Sequence, residues 1–199
     1  MDLTEAPLKI AERIRGERGL ANVRFQFADA ERLPFANGEF DVVVSRFAFH
    51  HFEDPGAPLL EMVRVCREGG VVAIEDLTAS EQPERAAYHN RFERLRDSSH
   101  VRALPLSELR AIFSRCGLEI ETVYSGEIVQ LVERWLANAQ TPPKAAAEVH
   151  DLLARDERED LSGTHPFRKD GQLCFTHTTA ALVGRKPATP RRATSTGGS

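Results

Sequence analysis

Apolar residues change their spacing several times along this chain, and each change marks a different element. Val42-Val43-Val44, between Phe40 and Ser45, is an unbroken apolar run, and Val71-Val72-Ala73-Ile74, ahead of Glu75-Asp76, is another. Runs this short and rich in β-branched residues predict parallel strands covered on both faces. Between them Leu59, Met62, Val63 and Cys66 supply the inward stripe of a helix. Asp54-Pro55 predicts its start, with proline at the first helical position, and Gly69-Gly70 predicts its stop. Strand, helix, strand predicts a βαβ unit and an α/β fold. Upstream, Thr4 predicts the cap of a helix over Glu5–Arg18 with Ile10, Ala11 and Ile14 on one face. Val23–Ala28 sets Val, Phe and Phe against Arg and Gln, the period-two pattern of a strand, and Asn37-Gly38 marks a turn before Phe40.

The second half predicts a charged helix over Glu84–Arg96 and a helix capped by Ser107, with Leu109, Ile112, Phe113 and Cys116 inward and Gly117 at its end. A strand over Leu118–Tyr124 follows. Ile128, Leu131, Val132, Trp135 and Leu136 fall at the spacing of an amphipathic helix, and Pro142-Pro143 opens another through Leu153. Leu173–Val183, after the turn at Asp170-Gly171, is expected as a last, antiparallel strand. Lys186–Ser199 has no periodicity and is expected as a disordered tail. The organisation expected is one domain over residues 1–185 and a tail over 186–199.

Composition narrows the function classes. The chain has 199 residues, 41% hydrophobic and 28% charged, with a net charge of −4, which argues against a phosphate-tracking nucleic-acid surface. No apolar run approaches membrane-spanning length and there is no signal-peptide pattern. Cys66, Cys116 and Cys174 are widely spaced and odd in number, as expected of reduced packing residues in a cytoplasmic protein. There is no Gly-x-Gly-x-x-Gly and no Tyr-x-x-x-Lys pair, which sets aside a nicotinamide-dependent oxidoreductase.

Candidate chemistry gathers behind Val44. Ser45, Arg46, His50 and His51 follow a buried strand, and in open α/β sheets ligands bind outside the carboxyl ends of strands. The block Phe27-Ala-Asp-Ala-Glu-Arg-Leu-Pro-Phe35, then Phe40-Asp-Val-Val-Val-Ser-Arg-Phe-Ala-Phe-His-His-Phe52, resembles the centre of the class I S-adenosylmethionine-dependent methyltransferases, the type 11 or UbiE-like small-molecule group. The resemblance runs roughly from Met1 to Val183. It implies a Rossmann-like sheet with flanking helices, S-adenosylmethionine as cofactor and a small-molecule methyl acceptor, with no nucleic-acid or membrane partner.

Residue by residue, the resemblance implies that Asp2 accepts the ribose hydroxyls, that Asp29 accepts the adenine amine with the Ala30 amide facing the ring, and that Ser45 and Arg46 meet the methionine moiety. His51, or His50, stands where a neutral imidazole could take a proton. The segment from about 81 to 106 resembles the acceptor-side lid, with His89, Arg94 and His100 as substrate-binding candidates. Bland readings compete throughout: a turn aspartate at 29, one packed and one solvated histidine at 50 and 51, and a solvated helix face at 84–96. The local spacing of His89 and His100 matches no metal-ligand set, so no metal site is expected.

In the family a first strand, a glycine-rich loop and a first helix precede the point at which Met1 stands. Asp2-Leu3-Thr4 continues the family pattern to the first residue, so the expectation is a domain lacking its first βα unit. Such a chain should hold the methionine half of the cofactor poorly. The alternative is a non-catalytic remnant that binds or dimerises through its free sheet edge and the helix bearing Trp135, with a homodimer as its assembly.

Overall fold

In the computed structural model, residues 5–188 are described. Their elements run in the order α1 (Glu5–Glu17), β1 (Phe40–Arg46), a short 3-10 turn (Phe49–His51), α2 (Gly56–Val65), β2 (Cys66–Ala79), α3 (Pro83–Arg96), β3 (Leu104–Pro105), α4 (Leu106–Arg115), β4 (Glu119–Leu131), α5 (Val132–Asn138), α6 (Pro143–Glu159), β5 (Phe167–Lys169) and β6 (Gln172–Arg185). The six strands form one sheet in the order β1-β2-β6-β4, with β3 on β2 and β5 on β6. β1 and β2 are parallel around α2, as the apolar runs predict, but β1 is not covered on both faces as expected: Val42 and Val44 are 56% and 64% exposed. β6 is antiparallel to β2, β4 and β5, and Asp170 and Gly171 both take positive φ in the tight β5–β6 turn, the conformation that an Asp-Gly hairpin favours.

Alternation along β6 sorts the core onto two faces. Leu182 and Ala180 join Leu59, Met62, Val72, Ile74, Ile112 and Phe113 beneath α2 and α4. On the odd positions, Leu173 and Phe175 pack with Phe92, Trp135, Val149 and Leu153 of α3, α5 and α6. Gly70 lies in an irregular part of the β1–β2 ladder, where an added Cβ would stand 2.6 Å from Cys66 Sγ and 2.8 Å from the Asp41 carbonyl. No side chain fits there, so the pair Gly69-Gly70 shapes β2 and does not stop the helix as expected: α2 ends at Val65, and Cys66, expected on its inward stripe, already opens the strand.

Several expectations are corrected. Val23–Ala28 forms no strand beyond an isolated bridge at Phe27, and Phe25 and Phe27 are exposed. A strand needs a ladder partner for its backbone groups, and among the described residues β1 pairs only with β2. Ile128 and Leu131 belong to β4, leaving helix only from Val132. Their i, i+3 spacing is compatible with either element, and continuous pairing of Ile128–Leu131 with His177–Cys174 decides for strand. Ser107 is inside α4, whose cap position is Pro105. Its hydroxyl donates to Glu81 instead. Lys186, expected in the tail, continues the ladder through Gly70 and donates its Nζ to the Val63 and Cys66 carbonyls at the end of α2. Residues 189–199 of that expected tail lie outside the described residues.

Candidate active site

At the carboxyl end of β1 the chain opens onto a cavity of about 600 Å³. One wall is the stretch from Ser45 to Phe49. The other is the loop bearing Ala28, Ala30 and Leu33, with Met62 of α2 and Ser99 completing the enclosure. The loop is tied to α2 by a clamp. Glu61 Oε2 accepts from the Leu33 amide, while the Arg64 guanidinium donates to Glu61 and to the carbonyls of Leu33 and Phe35. The bonds from Arg64 hold the Glu61 carboxyl below the usual range.

The turn after β1 carries backbone strain. Phe47 has φ 49°, a region that costs a bulky residue free energy and that gathers at functional sites. Three contacts hold it. The Phe47 amide donates to the Glu75 carbonyl at 2.8 Å. Arg46 Nε donates to Glu75 Oε2 at 2.7 Å, and its guanidinium carbon stands 4.3 Å from the Phe47 ring centroid.

Asp76, at the end of the apolar part of β2, fixes the next residues. It is 1% exposed. Oδ2 accepts from the Phe49 amide at 2.6 Å and the His50 amide at 3.2 Å, and Oδ1 accepts from the Leu77 amide at 2.6 Å. His50 Nδ1 lies 2.5 Å from Oδ1, so it carries the proton of that bond. His50 is therefore packed beneath the turn. Its carbonyl accepts from the Val101 and Arg102 amides, which fastens the segment after α3 to the site.

His51 lines the cavity. Its Nδ1 is 3.0 Å from the Ser99 carbonyl, an atom that only accepts, so Nδ1 carries a proton. The Ser99 hydroxyl donates to Asp97 at 2.6 Å. Burial opposes ionisation of Asp97, but the bonds from Ser99 outweigh it and hold the carboxyl below its ordinary value. With Nδ1 protonated, a neutral His51 keeps Nε2 free to accept a proton.

The structure brings together only part of the expected set. Ser45, Arg46, Ala30 and His51 line the cavity. Asp29 is exposed, flanked by the lining residues Ala28 and Ala30, with Oδ1 accepting from the Glu31 amide of its own turn. Asp2 lies outside the described residues. Arg94 is exposed and donates to the Val101 carbonyl. His100 is buried, bonded through Nε2 to Asn90 Oδ1 at 2.8 Å, and burial pushes its pKa down to about 4.

His89 opens on a second cavity, of about 360 Å³, together with Glu81, Ser162, Thr164 and Thr178. It also belongs to a buried cluster with Glu93 and His177. In that cluster burial opposes the Glu93 charge, yet the imidazoles, His177 foremost, hold the carboxyl well below its ordinary range. Burial drives His177 down.

Three residues escaped sequence reasoning. Asp76 had a signal, one of two adjacent acids at the end of an apolar run. Glu61 had a weaker one, three positions before Arg64 on a helix. His177 had none, because its partners are 84 and 88 residues away.

The comparisons agree with this geometry. The family described as a methyltransferase domain matches residues 1–74. The chain is 34% identical over 162 residues to the uncharacterized methyltransferase YcgJ of Bacillus subtilis, covering 80% of this chain and 64% of that protein. It is 31% identical to the uncharacterized protein YafE of Escherichia coli, over 71% of this chain and 68% of YafE. The chain thus spans about two thirds of the length of these relatives.

The solved structure of YcgJ superposes with a TM-score of 0.87 at 29% identity, over 94% of this chain and 81% of that one. That of BH2331 from Bacillus halodurans C-125 does so with 0.86 at 28%, with the same coverage. Sequence match, sheet order and a cavity at the carboxyl end of β1 converge, and this chain belongs to the class I methyltransferases.

Proposed function

We propose that the chain transfers a methyl group from S-adenosylmethionine to a small-molecule acceptor, with the cavity beyond β1 as the cofactor's seat. The observation that carries this reading is the cavity itself: about 600 Å³, at the carboxyl end of a parallel strand, behind a strained turn. Its residues fit such a group. Ala28, Ala30 and Leu33 offer a small apolar wall against which a purine can lie, and Ser45 adds a polar contact at the strand end; Asp29 stands in the chain between two of the wall residues, with Oδ1 accepting from its own turn. Bound there, the cofactor would supply a methyl group already activated by its sulfonium.

The chain's own contribution is mainly placement, because holding two reactants in line supplies much of the rate of such a transfer. Asp76 holds the turn from Phe49 to His51, and the clamp of Glu61 and Arg64 holds the opposite wall. His51 Nε2 is the group that takes a proton from an acceptor that must lose one. His50, tied up by Asp76, acts through His51 as a positioning residue. The acceptor approaches from the side of Ser99, between the β1 turn and the segment after α3.

Calorimetric titration of the 199-residue chain with S-adenosylmethionine and S-adenosylhomocysteine tests this reading. Weak but saturable binding, as expected of a chain that holds the methionine half of the cofactor poorly, and its abolition by Ala30→Trp, which fills the cavity, are the expected results. Equal heats from wild type and Ala30→Trp would overturn the placement, and no heat from either ligand would overturn the function. A second reading, a module that pairs through the open edge of β1, draws on Val42 and Val44, which are 56% and 64% exposed within β1, a strand with one ladder partner among the described residues. Light scattering separates it: self-association that Val44→Lys abolishes would favour pairing.

A further inference from the structure

Away from the cavity beyond β1, a second group of side chains is arranged as ligands. His89 and Glu93 stand one turn apart on α3 and so share a face. His177 reaches them from β6. His177 Nε2 is 2.6 Å and His89 Nε2 is 3.4 Å from Glu93 Oε1, and one ligand atom from each residue lies within 4.8 Å of the others. His89, Glu93 and His177 are 1%, 1% and 3% exposed. The contact between His177 and Glu93 alone would be an ordinary buried clamp between helix and sheet. His89 does not fit that account. Its Nε2 is buried and has no hydrogen-bond partner, whereas buried polar atoms in folded proteins are nearly always satisfied.

We propose that His89, Glu93 and His177 bind a divalent transition metal ion of the zinc type, with a fourth position open to the second cavity. Two imidazoles and a carboxylate with a vacant position form a ligand set that suits such ions. Metal–ligand bonds of 2.0–2.1 Å place tetrahedral ligand atoms roughly 3.4 Å apart. The spacing of His89 and Glu93 already meets this, and His177 has to draw back by less than ~1 Å to reach the same separation. Of the three residues His89 alone lines the second cavity, so that cavity is the nearest route by which an ion or a fourth ligand reaches the cluster.

A second feature supports the assignment. His177 Nδ1 is 3.4 Å from Gln130 Nε2. Without metal, His177 donates Nε2–H to Glu93, and Nδ1 accepts from the Gln130 amide. With metal on Nε2, the proton moves to Nδ1, no proton is lost from the ring, and the Gln130 amide turns over to present its oxygen. Such outer partners orient ligating histidines. Gln130 is a positioning residue for the metal.

The experiment uses the full chain, stripped with a chelator and then loaded with zinc or cobalt. One ion per chain should survive desalting, raise the melting temperature, and give cobalt the visible absorption of a tetrahedral nitrogen and oxygen site. His89→Phe should fold, because it fills the same space beside Phe92 and its lost Nε2 had no partner. It should retain no ion and show no thermal response. Gln130→Ala should weaken binding roughly 10- to 100-fold. Wild-type chain that keeps no ion would overturn the proposal. So would a folded His89→Phe that binds as wild type, since the ion would then sit at exposed pairs such as His150 with Glu133 or His165 with Asp160. Should His89→Phe fail to fold, unchanged affinity in Gln130→Ala would overturn it equally. The readout is metal binding alone, independent of methyl transfer.

Discussion

Asp76 and Glu93 are both 1% exposed, and each holds an imidazole, at 2.5 Å and 2.6 Å. Their remaining partners differ. Asp76 spends both oxygens on backbone amides, of Phe49, His50 and Leu77, as well as on His50. Glu93 meets its two imidazoles through one oxygen and leaves one of those rings with an unpaired nitrogen. A carboxylate saturated by main-chain donors is a fixture that shapes the chain around it. A carboxylate that shares one oxygen between side chains, one of them unsatisfied, is a site waiting for something to bind. The first lies behind the cavity beyond β1 and the second beside the other cavity, so the molecule places a rigid frame at one and ligating groups at the other.

The sharpest way to break this comparison is Asp76→Asn. An amide nitrogen at either position would face N–H donors, and each buried donor left without an acceptor costs about 1–3 kcal/mol. The expected loss is about 4 kcal/mol, in the range found for breaking a buried charged network, read as a drop in the urea midpoint at neutral pH. A loss below ~1 kcal/mol, the worth of a single ordinary hydrogen bond, would show that Asp76 does not hold the turn.

Acid comes next in size, and it acts through His100, which lies between the two carboxylates. Its ring is 5.3 Å from that of His50, and its Nε2 bonds Asn90 on α3. Burial lowers its folded pKa from 6.5 to about 4. As pH falls below 6.5 the unfolded chain takes up the proton first, so stability is intact above that pH and is lost progressively down to about pH 4. At 1.36 kcal/mol per pKa unit the loss is roughly 3 kcal/mol. His100→Gln, which can still donate to Asn90, should flatten the slope of unfolding free energy in that window. An unchanged slope would assign the acid loss elsewhere.

How much of this was legible in the sequence follows from the range of the interactions. The βαβ unit was readable because Val42–Val44, the stripe of Leu59, Met62 and Val63, and Val71–Ile74 carry their signal locally, in their period. The β1 mouth was readable because ligands gather at strand ends, and Ser45, Arg46 and His51 sit within seven residues of Val44. Val23–Ala28 misled because alternation states a propensity and cannot supply a neighbour. Ile128 and Leu131 misled because three-residue spacing in a β-branched stretch serves both elements until β6 pairs with it. The cluster of His89, Glu93 and His177 was illegible as a set. Two members show as i, i+4 on one helix, but the third arrives from a strand whose face is fixed only when the sheet assembles.

The smallest expected effect is the one that separates the two carboxylates most cleanly. Glu93→Gln keeps an acceptor oxygen for His177 Nε2–H at the branch that faces both imidazoles, and leaves the Nε2 of His89 as it was. What is lost is the extra strength of a hydrogen bond to a charged acceptor, worth about 1 kcal/mol. In chelator at neutral pH the urea midpoint should therefore fall by far less than in Asp76→Asn, although the two residues are equally buried and equally close to a histidine. Added zinc should then widen the gap between wild type and Glu93→Gln, because only the wild-type chain has a ligand to lose, while leaving the gap between wild type and a chain altered at Asp76 nearly unchanged. If Glu93→Gln instead unfolds the protein as readily as Asp76→Asn, Glu93 is a structural fixture of the same kind and the contrast between the two regions disappears.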